Sequence, residues 1–154
     1  MLELPHAIVG ATIAIKIGNP LLSLPLSLLS HFALDLLPHW NPNIFTEVKK
    51  YGKVSSFSKK IILVDSFLAL IIGSLLAISF YPNFGRIITV LLGCFLAVLP
   101  DVAEVPFFFA GSQNKHLTTY IKLHRRLQFS APLKLGIITQ TIVLALCFLI
   151  IFSS

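Results

Sequence analysis

Residues 30–40, Ser-His-Phe-Ala-Leu-Asp-Leu-Leu-Pro-His-Trp, carry two imidazoles and a carboxylate, His31, Asp35 and His39, four residues apart. On a helix each four-residue step advances about 400° and rises about 6 Å, so the three side chains form one stripe that drifts only about 80°. Neutral imidazole and carboxylate both donate lone pairs, and the stripe is therefore a partial ligand set for a divalent cation. One helix cannot close such a site, because His31 and His39 lie about 12 Å apart along its axis. Either other segments complete it or there is more than one metal; the candidates to complete it are His6, Asp65, Asp101 and His124, with Glu104 as a neighbouring general base and Arg125 or Arg126 as a clamp for an anionic group. Each has a plainer alternative. His39 beside Trp40 suits an interfacial anchor, His6 after Pro5 a helix start, Asp65 a partner for Lys59 and Lys60, and Asp101 with Glu104 a helix break between Pro100 and Pro106. His31 and Asp35 lie deepest in an apolar run, where a charge costs a few kcal/mol unless it pairs, lines a cavity or binds an ion. His116 reads as solvated, although it would share a helical face with Tyr120, His124 and Gln128.

The elements that must position these groups are apolar. The chain has 154 residues, 56% hydrophobic and 12% charged, with mean hydropathy +0.89. A soluble domain carries roughly 25% charged residues. This composition excludes a soluble enzyme and a disordered tail, and it predicts one membrane domain over residues 1–154. Five apolar segments are expected as helices, at about 4–17, 21–38, 61–81, 87–109 and 133–152, in an all-α bundle. The last three have the roughly 20 residues that a crossing requires, whereas the first two are short and hairpin-like. Gly18-Asn19-Pro20 and Pro82-Asn83 mark turns, and residues 39–60 and 112–132 are basic loops. Ser23, Ser27 and Ser30 read as packing residues, and Cys94 and Cys147 as small hydrophobes outside any metal or disulfide spacing. The acidic start MLELPHAIVG lacks the features of a cleaved leader, so the first segment is expected to stay in the mature chain.

If all five segments cross, both basic loops and the N-terminus share one side, which holds ten of the twelve Lys and Arg residues when Lys134 is counted with its loop. The net charge of +6 is then a topology signal rather than a nucleic-acid signal, and it predicts a cytoplasmic N-terminus. The same parity puts His6, His31, Asp35, His39, Asp65, Asp101, Glu104 and His124 at one membrane level.

Four short motifs carry a family resemblance: His-x-x-x-Gly (His6, Gly10), Ser-His-x-x-Leu-Asp (Ser30, His31, Leu34, Asp35), Leu-Pro-Asp (Leu99, Pro100, Asp101), and His-Arg followed by Ser (His124, Arg125, Ser130). Through these the chain resembles the bacterial membrane-bound metal-dependent hydrolases, the LexA-regulated inner-membrane group, itself similar to zinc-dependent phospholipase C. It departs from that pattern where Ala103 replaces a second Asp and where Gln128-Phe129 replaces a second His, and its motif order is rearranged. The resemblance implies an inner-membrane enzyme with a divalent metal, zinc or manganese, that hydrolyses an ester or phosphoester of a lipid-like substrate. Two other classes use the same residues: an ion, proton or metal transporter, and a non-enzymatic membrane scaffold. The far halves of the last three segments carry almost no ionisable residue, which disfavours a relay across the bilayer.

Overall fold

A computed structural model of the chain describes residues 1–153. The fold is all-α, with eight helices among the described residues: α1 (Glu3–Ile17), α2 (Pro20–Asp35), α3 (Ile44–Tyr51), α4 (Ser56–Ile78), α5 (Phe84–Val102), α6 (Val105–Ala110), α7 (Lys115–Leu127) and α8 (Leu133–Phe152). The turns follow from their residues. Gly18 takes φ 69° to close α1, and the Asn19 side chain then accepts from the Leu21 amide ahead of Pro20. Ser55, Asn83 and Asn114 cap α4, α5 and α7 in the same manner.

The expectation of five helices needs three corrections. The fourth segment is two helices, α5 and α6, broken at Ala103-Glu104. Pro106 falls at the start of α6, where its missing N–H costs nothing, and it cannot supply the bond to the Val102 carbonyl that a continuous helix would need. The two basic loops are largely helical, as α3 and α7, because each can hide one face while its lysines and arginines stay in solvent. In α7, Ile121 and His124 are buried while Lys122, Arg125 and Arg126 are exposed. The second segment ends at Asp35 rather than Pro38, and α4 spans 56–78 rather than 61–81.

Three helices, α4, α5 and α8, are long and apolar enough to cross a membrane. They expose Leu63, Phe67, Leu75, Ile138, Leu146 and similar side chains outward. The first two helices have 15 and 16 residues. At 1.5 Å per residue they reach about 22 and 24 Å, short of a bilayer core of about 30 Å. Helix α1 is instead the centre of the bundle and packs against α2, α4, α5 and α8. Its Ala11, Ala14 and Ile15 join Ala77 and Val90 in a core cluster. The two cysteines are free thiols, Cys147 buried and Cys94 half-buried.

The crossing of α1 and α5 sets where the site can form. A Cβ on Gly10 would stand 2.3 Å from the Gly93 carbonyl oxygen, and one on Gly93 would stand 2.8 Å from that of Gly10. The backbones touch, so these positions admit no side chain. Ser27 Oγ adds a bond to the Gly10 carbonyl at 3.2 Å, drawing α2 onto the same point. Gly10 lies one turn beyond His6, and Ala97 and Asp101 lie one and two turns beyond Gly93. The crossing therefore fixes His6 against the end of α5. Gly10→Ala should cost about 1–3 kcal/mol through overpacking. In detergent this lowers the thermal midpoint by several degrees, while Gly85→Ala, whose nearest neighbour would be 3.6 Å away, leaves it unchanged. Equal midpoints for the two variants would refute the close-packed crossing.

Candidate metal centre

Asp35, the last residue of α2, has no solvent exposure and is surrounded by nitrogen. The Met1 amino group donates to its Oδ1, with His6 Nε2 at 3.4 Å and His39 Nε2 at 3.7 Å from the same oxygen. Its Oδ2 accepts from Gln128 Nε2 at 3.2 Å and lies 3.1 Å from His124 Nε2 and 3.6 Å from His31 Nε2. Four imidazoles from α1, α2, the 36–43 connection and α7 thus present Nε2 to one carboxylate.

The other ring nitrogens explain these orientations. His31 Nδ1 donates to the Ala97 carbonyl at 2.7 Å and His39 Nδ1 to the Leu37 carbonyl at 2.9 Å. His124 Nδ1 donates to Glu104 Oε1 at 2.8 Å. With the proton held on Nδ1, the Nε2 lone pair of His31 and His39 faces inward, which is how a metal-ligating histidine is oriented. His31 Nε2 and His124 Nε2 approach to 3.1 Å, a separation that requires a proton or cation between two lone pairs. Both nitrogens of His6 and Nε2 of His39 are buried without a hydrogen-bond partner. Unpartnered buried polar atoms are rare, and two of them, His6 Nε2 and His39 Nε2, face the same Asp35 oxygen. The rings are packed as well: His6 stacks on His31 at 4.0 Å, Tyr120 stacks on His124 at 5.7 Å, and Phe32 meets both His31 and His124 edge-on.

Three triads hold ligand atoms within 4.8 Å of one another: His6, His31 and Asp101; His31, Asp35 and His124; and Asp101, Glu104 and His124. They share members and together form a set of three nitrogen and three oxygen donors that could hold a metal ion. His39 lies at the edge of this set, against Asp35. Asp65 stands apart from it. Its carboxylate accepts from the Glu3 and Leu4 amides at 2.5 and 3.3 Å, capping α1, which has no capping side chain of its own. His116 is exposed.

The centre has one side open to a cleft of about 160 Å³. Asp101 retains 19% exposure where His6, His31 and Asp35 retain none, so it stands at the boundary. Glu104, Glu3 and Asp65 also line the cleft, with Phe45 and Arg125. The Arg125 guanidinium lies 3.8 Å over the Phe45 ring, which holds its charge beside the opening.

Sequence reasoning missed several participants. Gln128 and Tyr120 follow from the i, i+4 face through His124. The Ala97 carbonyl and the Met1 amine carry no side-chain signal at all. Glu47, in the basic loop, accepts from the Ser55 amide and from the Ser55 and Ser58 hydroxyls at 2.8–2.9 Å, tying α3 to the start of α4. Desolvation opposes its ionisation, but these bonds together outweigh it and hold its carboxyl below the usual range.

Burial disfavours the imidazolium of His124, yet hydrogen bonds to Asp35 and Glu104 outweigh it and push the pKa up to about 10. On His39, burial and then the Met1 ammonium dominate, and its pKa is lowered. His124 is therefore protonated at pH 7 until a cation claims its lone pair. Cation uptake should release about one proton per ion, and apparent affinity should rise with pH across the neutral range. Calorimetry in buffers of different ionisation enthalpy reads this release. Uptake without proton release would remove His124 from the ligand set. Comparison with family models, with curated proteins and with solved structures finds no match to this chain.

Proposed function

We propose that the chain is a membrane-embedded, metal-dependent hydrolase that cleaves an ester or phosphoester of a lipid-like substrate at the membrane interface. The observation that carries this reading is the convergence on buried Asp35 of four imidazole Nε2 atoms, of His6, His31, His39 and His124, two of which, on His6 and His39, have no hydrogen-bond partner. In this reading His6, His31, Asp35, Asp101 and His124 hold a divalent cation, zinc in the first instance, with His39 in support. Asp65 serves the site from outside by capping α1.

A bound divalent cation supplies polarisation of a phosphoryl or acyl oxygen and lowers the pKa of water toward neutrality. The remaining work falls to the chain. Glu104 both orients His124 and borders the cleft, and it acts as general base toward the attacking water. Arg125 binds the anionic part of the substrate through paired guanidinium donors. Phe45 and Phe108 provide the apolar wall against which a hydrocarbon portion lies. The three long apolar helices and the exposed lysines and arginines of α3 and α7 favour an inner-membrane protein with this end of the bundle, and the N-terminus, on the cytoplasmic side.

Metal content of detergent-purified protein, measured by inductively coupled plasma mass spectrometry, should be near one ion or more per chain. His31→Ala and Asp35→Ala should lose it while eluting as folded protein. Arg125→Ala should keep the metal and raise KM for a phosphoester lipid by about tenfold, the loss of one charge-assisted contact of about 1.5 kcal/mol. A folded, reconstituted wild type without metal would refute the reading and direct attention to ion uptake in liposomes.

A further inference from the structure

Helix α8 carries none of the residues that sequence reasoning assigned to chemistry, and it is apolar almost throughout. Of its four polar side chains, Lys134, Thr139, Gln140 and Thr141, only Gln140 is buried, at 3% exposure. A buried amide is costly unless its donors and acceptor are satisfied. Gln140 is satisfied, and two of its three partners lie outside its own helix. Its Oε1 accepts from the Leu2 amide at 2.9 Å, and its Nε2 donates to the Trp40 carbonyl at 3.0 Å and to the Gly136 carbonyl at 3.1 Å.

Both distant partners adjoin candidate ligands. Leu2 precedes α1, four residues before His6. The N-terminal amides of α1 are divided between two other helices, Leu2 going to Gln140 and Glu3 and Leu4 to Asp65. Trp40 follows His39, and the backbone there rests on α8 with no gap. A Cβ on Gly136 would stand 2.3 Å from the Trp40 nitrogen and 2.8 Å from the His39 carbonyl carbon. The opposite edge of this segment is held by α7's extension, since His39 N donates to the Phe129 carbonyl at 3.1 Å and Ala131 N donates to the His39 carbonyl at 2.8 Å. Gly136 and Gln140, one turn apart, therefore form a dock for the His39-Trp40 backbone, and Gln140 alone joins that dock to the start of α1.

We propose that Gln140 is a positioning residue of the metal centre, setting His6 through the Leu2 amide and His39 through the Trp40 carbonyl while touching neither ring. This rests on the metal reading above. Groups that orient ligands without binding the ion typically change metal affinity 10- to 100-fold when removed, and Gln140 acts one step further back.

The test is a Co²⁺ titration of the full chain in detergent, followed by visible absorption, for wild type, Gln140→Met, His39→Ala and the double variant. Gln140→Met has nearly the same shape without the hydrogen bonds. It should weaken Co²⁺ binding by about tenfold and alter the d–d bands. His39→Ala should cost less in the Gln140→Met background than in wild type, because both remove the same positioned nitrogen. A fold defect alone would lower thermal stability without this non-additivity. If Gln140→Met does not elute as folded protein, Gln140→Glu replaces it; neutral Glu keeps both bonds, so it should retain wild-type affinity at low pH and lose it as pH rises. Wild-type affinity and spectrum in folded Gln140→Met, strict additivity with His39→Ala, or pH-independent binding by Gln140→Glu relative to wild type would overturn the proposal with the metal reading intact. No Co²⁺ spectrum in folded wild type would overturn both.

Discussion

The burial of the Asp35 carboxylate is the constraint on which the rest of the structure depends. A carboxylate withdrawn completely from water is tolerable only with opposite charge or several hydrogen-bond donors around it. No single helix can supply them, because a helix presents its side chains on an outward cylinder and reaches one point with only one or two. The chain therefore brings α1, α2, α7 and the connections after α2 and α7 to the same place. The nitrogens of Met1, His6, His31, His39, His124 and Gln128 all lie within 4 Å of the carboxylate oxygens.

Close backbone approach makes that convergence possible. Where Gly10 meets Gly93, the axes of α1 and α5 draw together beyond what any larger residue would permit, and the His31 ring can reach the Ala97 carbonyl beside that crossing. Gly136 does the same for the connection that carries His39. In apolar surroundings, where hydrophobic burial distinguishes helix from lipid weakly, small residues and shared polar contacts are the main means of specifying which helices pack together. The side chains that cap α1 illustrate this: Asp65 and Gln140, from α4 and α8, take the amides that a soluble helix would satisfy with its own N-cap.

The proposed chemistry uses a gradient of exposure across a few ångströms. His6, His31 and Asp35 are sealed, Asp101 is partly open, and Arg125 lies in solvent above Phe45. A cation held at the sealed end would keep its ligands dry and strongly interacting, while its open side faces a cleft lined by Glu3, Asp65, Asp101 and Glu104, by the Arg125 guanidinium and by apolar side chains. Such an arrangement suits a substrate with an anionic head and a hydrocarbon portion, and it explains why a reaction at a membrane interface is the reading favoured for this centre.

The sequence by itself determined the all-α apolar class, the turn at Gly18-Asn19-Pro20, the bounds of α8 and the residue types available for ligation, because these depend on local composition, periodicity and capping. It also marked His31 and Asp35 as the pair whose burial demands partners. Only the tertiary structure decided the rest. Glu104 turned out to hold His124, Asp65 to cap α1, and Gln140 to tie α1 and the His39 connection to α8, since each role depends on a backbone group far away in the chain that no side-chain pattern encodes. The short α1 became the centre of the bundle for the same reason. Its length and hydropathy are those of many helices, and its place was set by the non-local fit of Gly10 against Gly93.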